Sequence, residues 1–148
     1  MLQAAVATLS NAQVAFGDRI GHTNRSLLLW TCLDDGTLLR PDRPATSIDA
    51  TFHMTLAPKG EVWSTEASVS GPSFRYVLSA NLSAPYSVPC DETGLNLSTT
   101  HLAFDVIARA TRPSSWCCVA VDGDNTLALP ASPTVGVFTP FHLHAVMP

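Results

Sequence analysis

Charged side chains are scarce in this sequence. Asp, Glu, Lys and Arg make up 14% of its 148 residues, against about 25% in a typical globular protein. Only one of the eight basic residues is a lysine, and the 12 acidic residues bring the net charge to −4. Because nucleic-acid binding needs basic groups that neutralise phosphates, we expect no nucleic-acid partner. So few charges also leave much weakly polar surface, which indicates a missing partner.

Long apolar runs are absent as well. No stretch of about 18 apolar residues occurs, so we expect no transmembrane helix and no membrane partner. The apolar share of 46% is nevertheless too high for a disordered chain. A chain of this length can bury roughly 68% of its surface, which is enough for one core.

A clear secretory signal is also lacking. Residues 1–15 are apolar, but no basic residue precedes the apolar run and no convincing cleavage site follows it. We therefore interpret this stretch as a helix and favour the cytoplasm. Three sequons, at Asn24, Asn81 and Asn96, leave the compartment open.

Motifs of the common enzyme and metal-binding classes are missing. The sequence has no G-x-S-x-G elbow, no P-loop, no G-x-G-x-x-G and no H-E-x-x-H. Its four cysteines form no C-x-x-C pair, so buried thiols are favoured over a disulfide or a zinc site. His142 and His144 lie two residues apart, so on a strand both would face one side, as two metal ligands do. No third ligand has a spacing that supports a metal site, and we favour a pair of solvent-facing histidines. We expect no metal and no cofactor.

The first 49 residues combine helix and strand patterns. Apolar residues recur at helical spacing over 2–9, and Ser10 and Asn11 follow as a stop. The compact apolar run 14–16 favours a buried parallel strand. A second helix is expected from Thr23 or Asn24, either a plausible N-cap, to residue 33, before the turn at 34–36.

The composition changes near residue 50, where we place the domain boundary between 1–49 and 50–148. After it, runs bounded by Gly and Pro predict six strands, over 48–56, 61–67, 74–82, 102–108, 116–121 and 141–146. Their spacing and alternation favour an antiparallel β-sandwich. The fold class is therefore mainly β, a C-terminal sandwich preceded by an incomplete α/β segment.

Aromatic residues of these strands are expected to be mostly buried. They are Trp63, Phe74, Tyr76, Phe104 and Trp116. The three tryptophans, Trp30 included, would also suit sugar-stacking platforms, but buried anchors are favoured because Trp63 and Trp116 lie within apolar-rich strands.

A polar loop over 17–24 follows the predicted parallel strand and begins with Asp18 after a glycine. In barrels of alternating strands and helices, substrates bind at that end of the strands. The alternative is that Asp18 only caps the loop through backbone hydrogen bonds. Spacing alone favours this alternative.

The stretch 18–49 nevertheless resembles the family of raffinose synthases, seed imbibition proteins and alkaline α-galactosidases. The family spacing D-x-V-G-x-x-N-x-x-L-L, then L-x-D-G-x-x-L-R, is matched at ten positions. These are Asp18, Gly21, Asn24, Leu27, Leu28, Leu33, Asp35, Gly36, Leu39 and Arg40. Residues 44–46 with Asp49 resemble a shifted A-L-P-T-R-D run of the family. Ala12 and Gln13 depart from the family's Gly-Pro pair, and Gly17 replaces a serine.

The resemblance implies that 1–49 is the last part of a (β/α)₈ catalytic barrel and that 50–148 is the β-sandwich after it. Family members hydrolyse or transfer α-galactosyl groups by a retaining mechanism, which uses two carboxylates about 5 Å apart. In the family, both lie on earlier barrel strands, which this chain does not contain. The resemblance therefore implies no catalytic residue here. Asp18 would be a wall of the sugar pocket, with Arg19 or Asn24 nearby, and the partner would be a galactosyl oligosaccharide.

Two functions follow from these observations. The first is a C-terminal fragment of a carbohydrate-active enzyme, inactive alone; the second is a non-catalytic β-sandwich module that binds a glycan or a partner protein. Both ends of the chain look cut, and the strand predicted at 14–16 has no second parallel strand beside it. We therefore expect self-association, or a requirement for a missing upstream barrel.

Overall fold

The computed structural model describes residues 2–13, 15, 17–51, 59–68, 70–89, 92, 102–106, 118–120, 126–132 and 141–147. Within this part, the helices are α1 (Leu2–Leu9) and α2 (Arg25–Leu28), with a 3₁₀ helix at Asp49–Thr51. The strands are β1 (Thr46–Ser47), β2 (Glu61–Ser68), β3 (Ser73–Ala80), β4 (Tyr86–Pro89), β5 (Leu102–Asp105), β6 (Cys118–Ala120), β7 (Thr126–Leu129) and β8 (Phe141–Met147).

The strands form two antiparallel sheets. One has six strands in the order β1-β2-β3-β8-β5-β6, and the other pairs β4 with β7. β2 and β3 make the longest pairing, a hairpin in which Trp63 lies opposite Leu78 and Ser64 opposite Val77. The protein is therefore mainly β with few helices, as the sequence predicts.

The main core contains residues of both sheets. Val62 and Val77, on one face of β2 and β3, cluster with Val88, Leu127 and Leu129 from the two-stranded sheet. All of these side chains are almost completely shielded from water. Burial of apolar surface from both sheets is what stabilises their association.

Helix α1 packs on the opposite face of the six-stranded sheet. Because side chains alternate along a strand, Trp63 and Leu78 point away from the main core, and they cluster with Leu9 of α1. Leu2 and Val6 join this cluster at helical spacing. The Leu9 carbonyl also accepts a hydrogen bond from the Ala45 N–H at 2.8 Å. The first helix is thus attached to the sheet by packing and by the backbone.

The two helix predictions have different outcomes. The first is confirmed, since α1 spans Leu2–Leu9. The second is right at its start, because Asn24 caps α2, but wrong in length, because the regular helix ends at Leu28. Backbone hydrogen bonds of the i→i−3 type follow the helix. An isolated antiparallel β-bridge between Cys32 and Leu38 then closes a turn. Gly36, at φ +87°, provides the left-handed residue of that turn.

The strands predicted over 61–67 and 141–146 are confirmed by β2 and β8. The strand predicted over 74–82 is confirmed by β3 as far as Ala80, and residues 81 and 82 are in no strand. The strand predicted over 102–108 is confirmed only to Asp105, because Val106 is helical; residues 107 and 108 lie outside the described residues. The strand predicted over 48–56 is wrong at 48–51, because Ile48 is in no strand and the 3₁₀ helix covers Asp49–Thr51; residues 52–56 are outside the description. Of 116–121, only 118–120 are described, as β6.

Short elements account for the remaining differences. β1, β4 and β7 were not predicted, because each has at most four residues and alternation cannot be recognised over so few. In the run predicted as a parallel strand, Ala15 is in no strand, while Val14 and Phe16 lie outside the described residues. Trp63, Phe74 and Tyr76 are partly buried, and Trp63 and Tyr76 pack against the Leu9 and Leu78 cluster. The side chain of Phe104 and all of Trp116 are outside the description.

Candidate functional site

A cavity of about 330 Å³ lies between α1 and the segment 15–31. Its polar walls come from Gln3, Asp18, Thr23, Asn24 and Thr31. Two of the three predicted site residues, Asp18 and Asn24, therefore face one space. Arg19 is exposed and does not line this cavity.

Asn24 has a structural role at this site. Its Oδ1 accepts hydrogen bonds from the N–H groups of Ser26 at 3.0 Å and Leu27 at 3.4 Å. This is N-capping, which satisfies backbone donors that the first helical turn leaves without partners. The side-chain carbonyl is thus committed to α2, while the Nδ2 amide group carries the donors that a ligand would use.

Asp18 lies in a short turn at the cavity wall. The turn is closed by a hydrogen bond from the His22 N–H to the Arg19 carbonyl at 2.9 Å, and Gly21 adopts φ +81° there. The Asp18 carboxylate is exposed and accepts no hydrogen bond from any described residue. The alternative in which Asp18 only caps its own loop is therefore not seen within the described residues, and its oxygens remain able to accept bonds from a ligand.

The second half of the family-like motif forms the neighbouring turn. Asp35 Oδ1 accepts a hydrogen bond from the Thr37 N–H at 2.8 Å, and this bond holds the pKa of the Asp35 carboxyl below its usual value. The Leu39 N–H donates to the Thr31 carbonyl at 2.9 Å, which brings this turn back against the end of α2. Asp35 thus shapes the backbone and does not line the Asp18 cavity.

Capping by Asn24 gives a direct prediction. Asn24→Ala should lower the free energy of unfolding by about 1 kcal/mol, because the amides of Ser26 and Leu27 lose their acceptor. Asn24→Asp retains an acceptor oxygen and serves as the control. Urea denaturation followed by circular dichroism measures both, and equal stability of the Ala and Asp variants would contradict the assigned role.

A second polar region, which the sequence did not predict, surrounds Glu66. Its carboxylate contacts Arg75 Nη2 at 2.5 Å and Arg43 Nε at 3.4 Å. Burial lowers the pKa of Arg75, although the nearby Glu66 opposes this shift. Glu66 and Arg75 are directly opposed on β2 and β3, so knowledge of the hairpin register would have revealed the pair. A polar cavity of about 400 Å³, lined by Arg43 and Asp49 among others, lies next to this cluster.

Metal-binding groups are not assembled in the part of the chain that the structure describes. No three residues among His, Cys, Asp and Glu there are placed to hold an ion. His142 and His144 occupy alternate positions of β8, opposite Ser79 and Val77, but their side chains are outside the description. Cys32 is a half-buried free thiol. Among the described helices, none has the length and apolar character that crossing a membrane requires.

No protein-family model, curated protein or solved structure matches this chain. The resemblance noted above rests on the motif residues alone, and the function has to be argued from the site itself.

Proposed function

We propose that the chain is the C-terminal part of a carbohydrate-active enzyme of the raffinose synthase and α-galactosidase type, and that the Asp18 cavity holds a galactosyl unit. In this proposal, residues 1–49 derive from the end of a (β/α)₈ barrel and the two sheets form the β-sandwich after it. The observation that carries the proposal is the shared cavity of Asp18 and Asn24, two motif residues whose polar groups suit sugar hydroxyls.

The chemistry of the cavity agrees with a sugar ligand. The Asp18 carboxylate accepts hydrogen bonds, the Asn24 amide donates them, and Thr31 does both. Leu27 and Leu28 add apolar surface, which suits the C–H face of a pyranose ring. The volume, about 330 Å³, falls at the lower end of the range for small-molecule sites.

Catalysis by this chain alone is not expected. A retaining glycosidase needs two carboxylates about 5 Å apart, and Asp18 is the only carboxylate among the described residues that line the cavity. The proposed role is therefore binding, and hydrolysis of an aryl α-galactoside should stay at the background rate.

One observation favours the second candidate function, a non-catalytic glycan-binding module. α1 packs through Leu9 on Leu78 of the sheet, so the N-terminal helix contributes to the stability of the β-sheet unit. Both candidates use the same cavity. They differ in that a module binds sugar as a self-contained monomer, whereas an enzyme fragment needs the rest of its barrel for full affinity.

Substitution of Asp18 tests the proposed site. Asp18→Ala should weaken the binding of methyl α-galactoside about tenfold, because a charge-assisted hydrogen bond to a hydroxyl is lost. Isothermal titration calorimetry measures the dissociation constant. Asp34→Ala is the matched control, since Asp34 is also an exposed aspartate but lies outside the cavity. Unchanged affinity of the Asp18 variant, or absence of binding at millimolar sugar, would contradict the proposal.

A further inference from the structure

A second cavity, of about 390 Å³, also borders α1, and Ala4 lines both cavities. It is enclosed by α1, the segment 29–41 and the face of β2 and β3 that carries Tyr76. Its walls are mostly apolar, and they include Leu9, Leu29, Trp30, Pro41, Tyr76 and Val106. Burial raises the pKa of the Tyr76 phenol, so this ring is a neutral part of the wall at pH 7. Such walls provide few partners for sugar hydroxyls, so this cavity fits a different ligand class.

Arg40 is the only charged residue among the described residues that line this cavity. Its side chain is exposed, and it forms no ion pair with any other described residue. By contrast, the guanidinium groups of Arg43 and Arg75 are paired with Glu66. A single unpaired cation next to an apolar cavity is electrostatically complementary to an anion that carries an apolar tail.

The rim of the cavity adds apolar surface beside this cation. Leu29 and Leu39 line the cavity and are still 40% and 42% exposed, and neighbouring Leu38 is 53% exposed. Contiguous exposed apolar surface with a polar rim marks binding sites. Exposed apolar surface from Leu29 and Leu39 and the positive charge of Arg40 therefore border the same cavity.

We propose that this cavity binds an amphiphilic monocarboxylate, a medium-chain acyl or aryl acid. Its apolar tail packs between Trp30 and Tyr76, and its carboxylate pairs with the Arg40 guanidinium. An anionic membrane surface fits less well, because lipid recognition of that kind uses clusters of about 4–8 basic residues, and one arginine lines the described part of this site. The proposal does not depend on the sugar site, which uses a different cavity.

The test compares three ligands with the same tail: decanoate, decanol and decylammonium. Calorimetric titration of the full chain should give the order decanoate, decanol, decylammonium from tightest to weakest. Shortening decanoate to octanoate should weaken binding roughly fourfold for each methylene removed while the tail is buried. Equal affinity for all three ligands, or absence of decanoate binding, would overturn the proposal.

Two variants locate the site. Arg40→Gln should weaken the binding of decanoate roughly three- to fivefold, the upper part of the range for an exposed ion pair, and leave the binding of decanol unchanged. Arg19→Gln is the matched control, because Arg19 is exposed and lies outside the cavity. Ala67 lines the cavity, so the larger side chain of Ala67→Phe should occupy part of it and weaken the binding of all three ligands. Thermal unfolding checks that this variant is folded. If Arg40→Gln and Arg19→Gln behave alike, the carboxylate is not held by Arg40 and the proposal fails.

Light scattering tests whether a second copy of the chain, and not a small molecule, occupies the cavity beside Arg40. The proposal expects the same mass with and without decanoate. A dimer that excludes decanoate would show that protein, and not a small amphiphile, covers this surface.

Discussion

Leu82→Ala should lower the free energy of unfolding by about 2–5 kcal/mol, the range for truncation of a large buried aliphatic side chain. Leu82 is completely buried in the main core, where it clusters with Leu127 and Leu129 of β7. Its backbone also joins the segment after β3 to the segment after β7, because its carbonyl accepts a hydrogen bond from the Ser132 N–H at 2.8 Å and its N–H donates to Ser132 Oγ at 3.2 Å. The cavity left by truncation is therefore held open by rigid neighbours.

Urea denaturation followed by circular dichroism measures this effect. Leu33→Ala is the matched control, because it removes the same atoms from a side chain that is 50% exposed to solvent. We expect the control to change stability by less than about 0.5 kcal/mol. Equal losses in the two variants would show that Leu82 is not part of a packed core.

Gly60→Ala should destabilise the protein by about 2–6 kcal/mol, from backbone strain and overpacking together. Gly60 has φ +143°, and a Cβ there would lie 2.8 Å from the Asn81 carbonyl oxygen and from Leu82 Cα. Two of the three closest atoms belong to the backbone, which cannot move aside as a flexible side chain does.

Gly71→Ala separates the backbone strain of a positive φ from the steric clash of an added Cβ. Gly71 also has a positive φ, +115°, but a Cβ there would meet nothing within 4 Å. Its variant should lose only the strain part, about 1–3 kcal/mol. Thermal or urea unfolding of both variants gives the comparison. A Gly71 variant as unstable as the Gly60 variant would contradict the close approach of residue 60 to Leu82.

The sequence pattern predicted the elements that carry a clear period. The helical spacing of Leu2, Val6 and Leu9 predicted α1. Runs bounded by Gly and Pro predicted β2 and β3, and alternation supported β3. Asn24 was recognisable as a cap because its side chain acts on the next few residues. Each of these signals is local, so a single stretch of sequence contains it.

Tertiary contacts could not be predicted in the same way. The packing of Leu9 on Leu78, and the contact of Arg43 with Glu66, join residues from separate elements. The length of α2 also depends on its surroundings, because the chain leaves the helix to form the Cys32 to Leu38 bridge. Periodicity alone favoured a longer helix.

The candidate site shows the same division. Motif spacing singled out Asp18 and Asn24, and the structure places both on one cavity. The opposite wall comes from Gln3 and Ala7 of α1, whose position depends on how that helix packs. Arg19 was a candidate only because it follows Asp18 in the sequence. The structure shows that Asp18 lines the cavity and that Arg19 does not.

Binding of a galactosyl unit in the Asp18 cavity can be tested by a nuclear magnetic resonance titration of the ¹⁵N-labelled chain with methyl α-galactoside, with methyl α-glucoside as the comparison. We expect saturable chemical-shift changes at the amides of Asp18, Thr23, Asn24 and Thr31, larger for the galactoside, while the amide of Asp49 in the other polar cavity stays unchanged. Shifts centred on Asp49, or no saturable shift with either sugar, would contradict it.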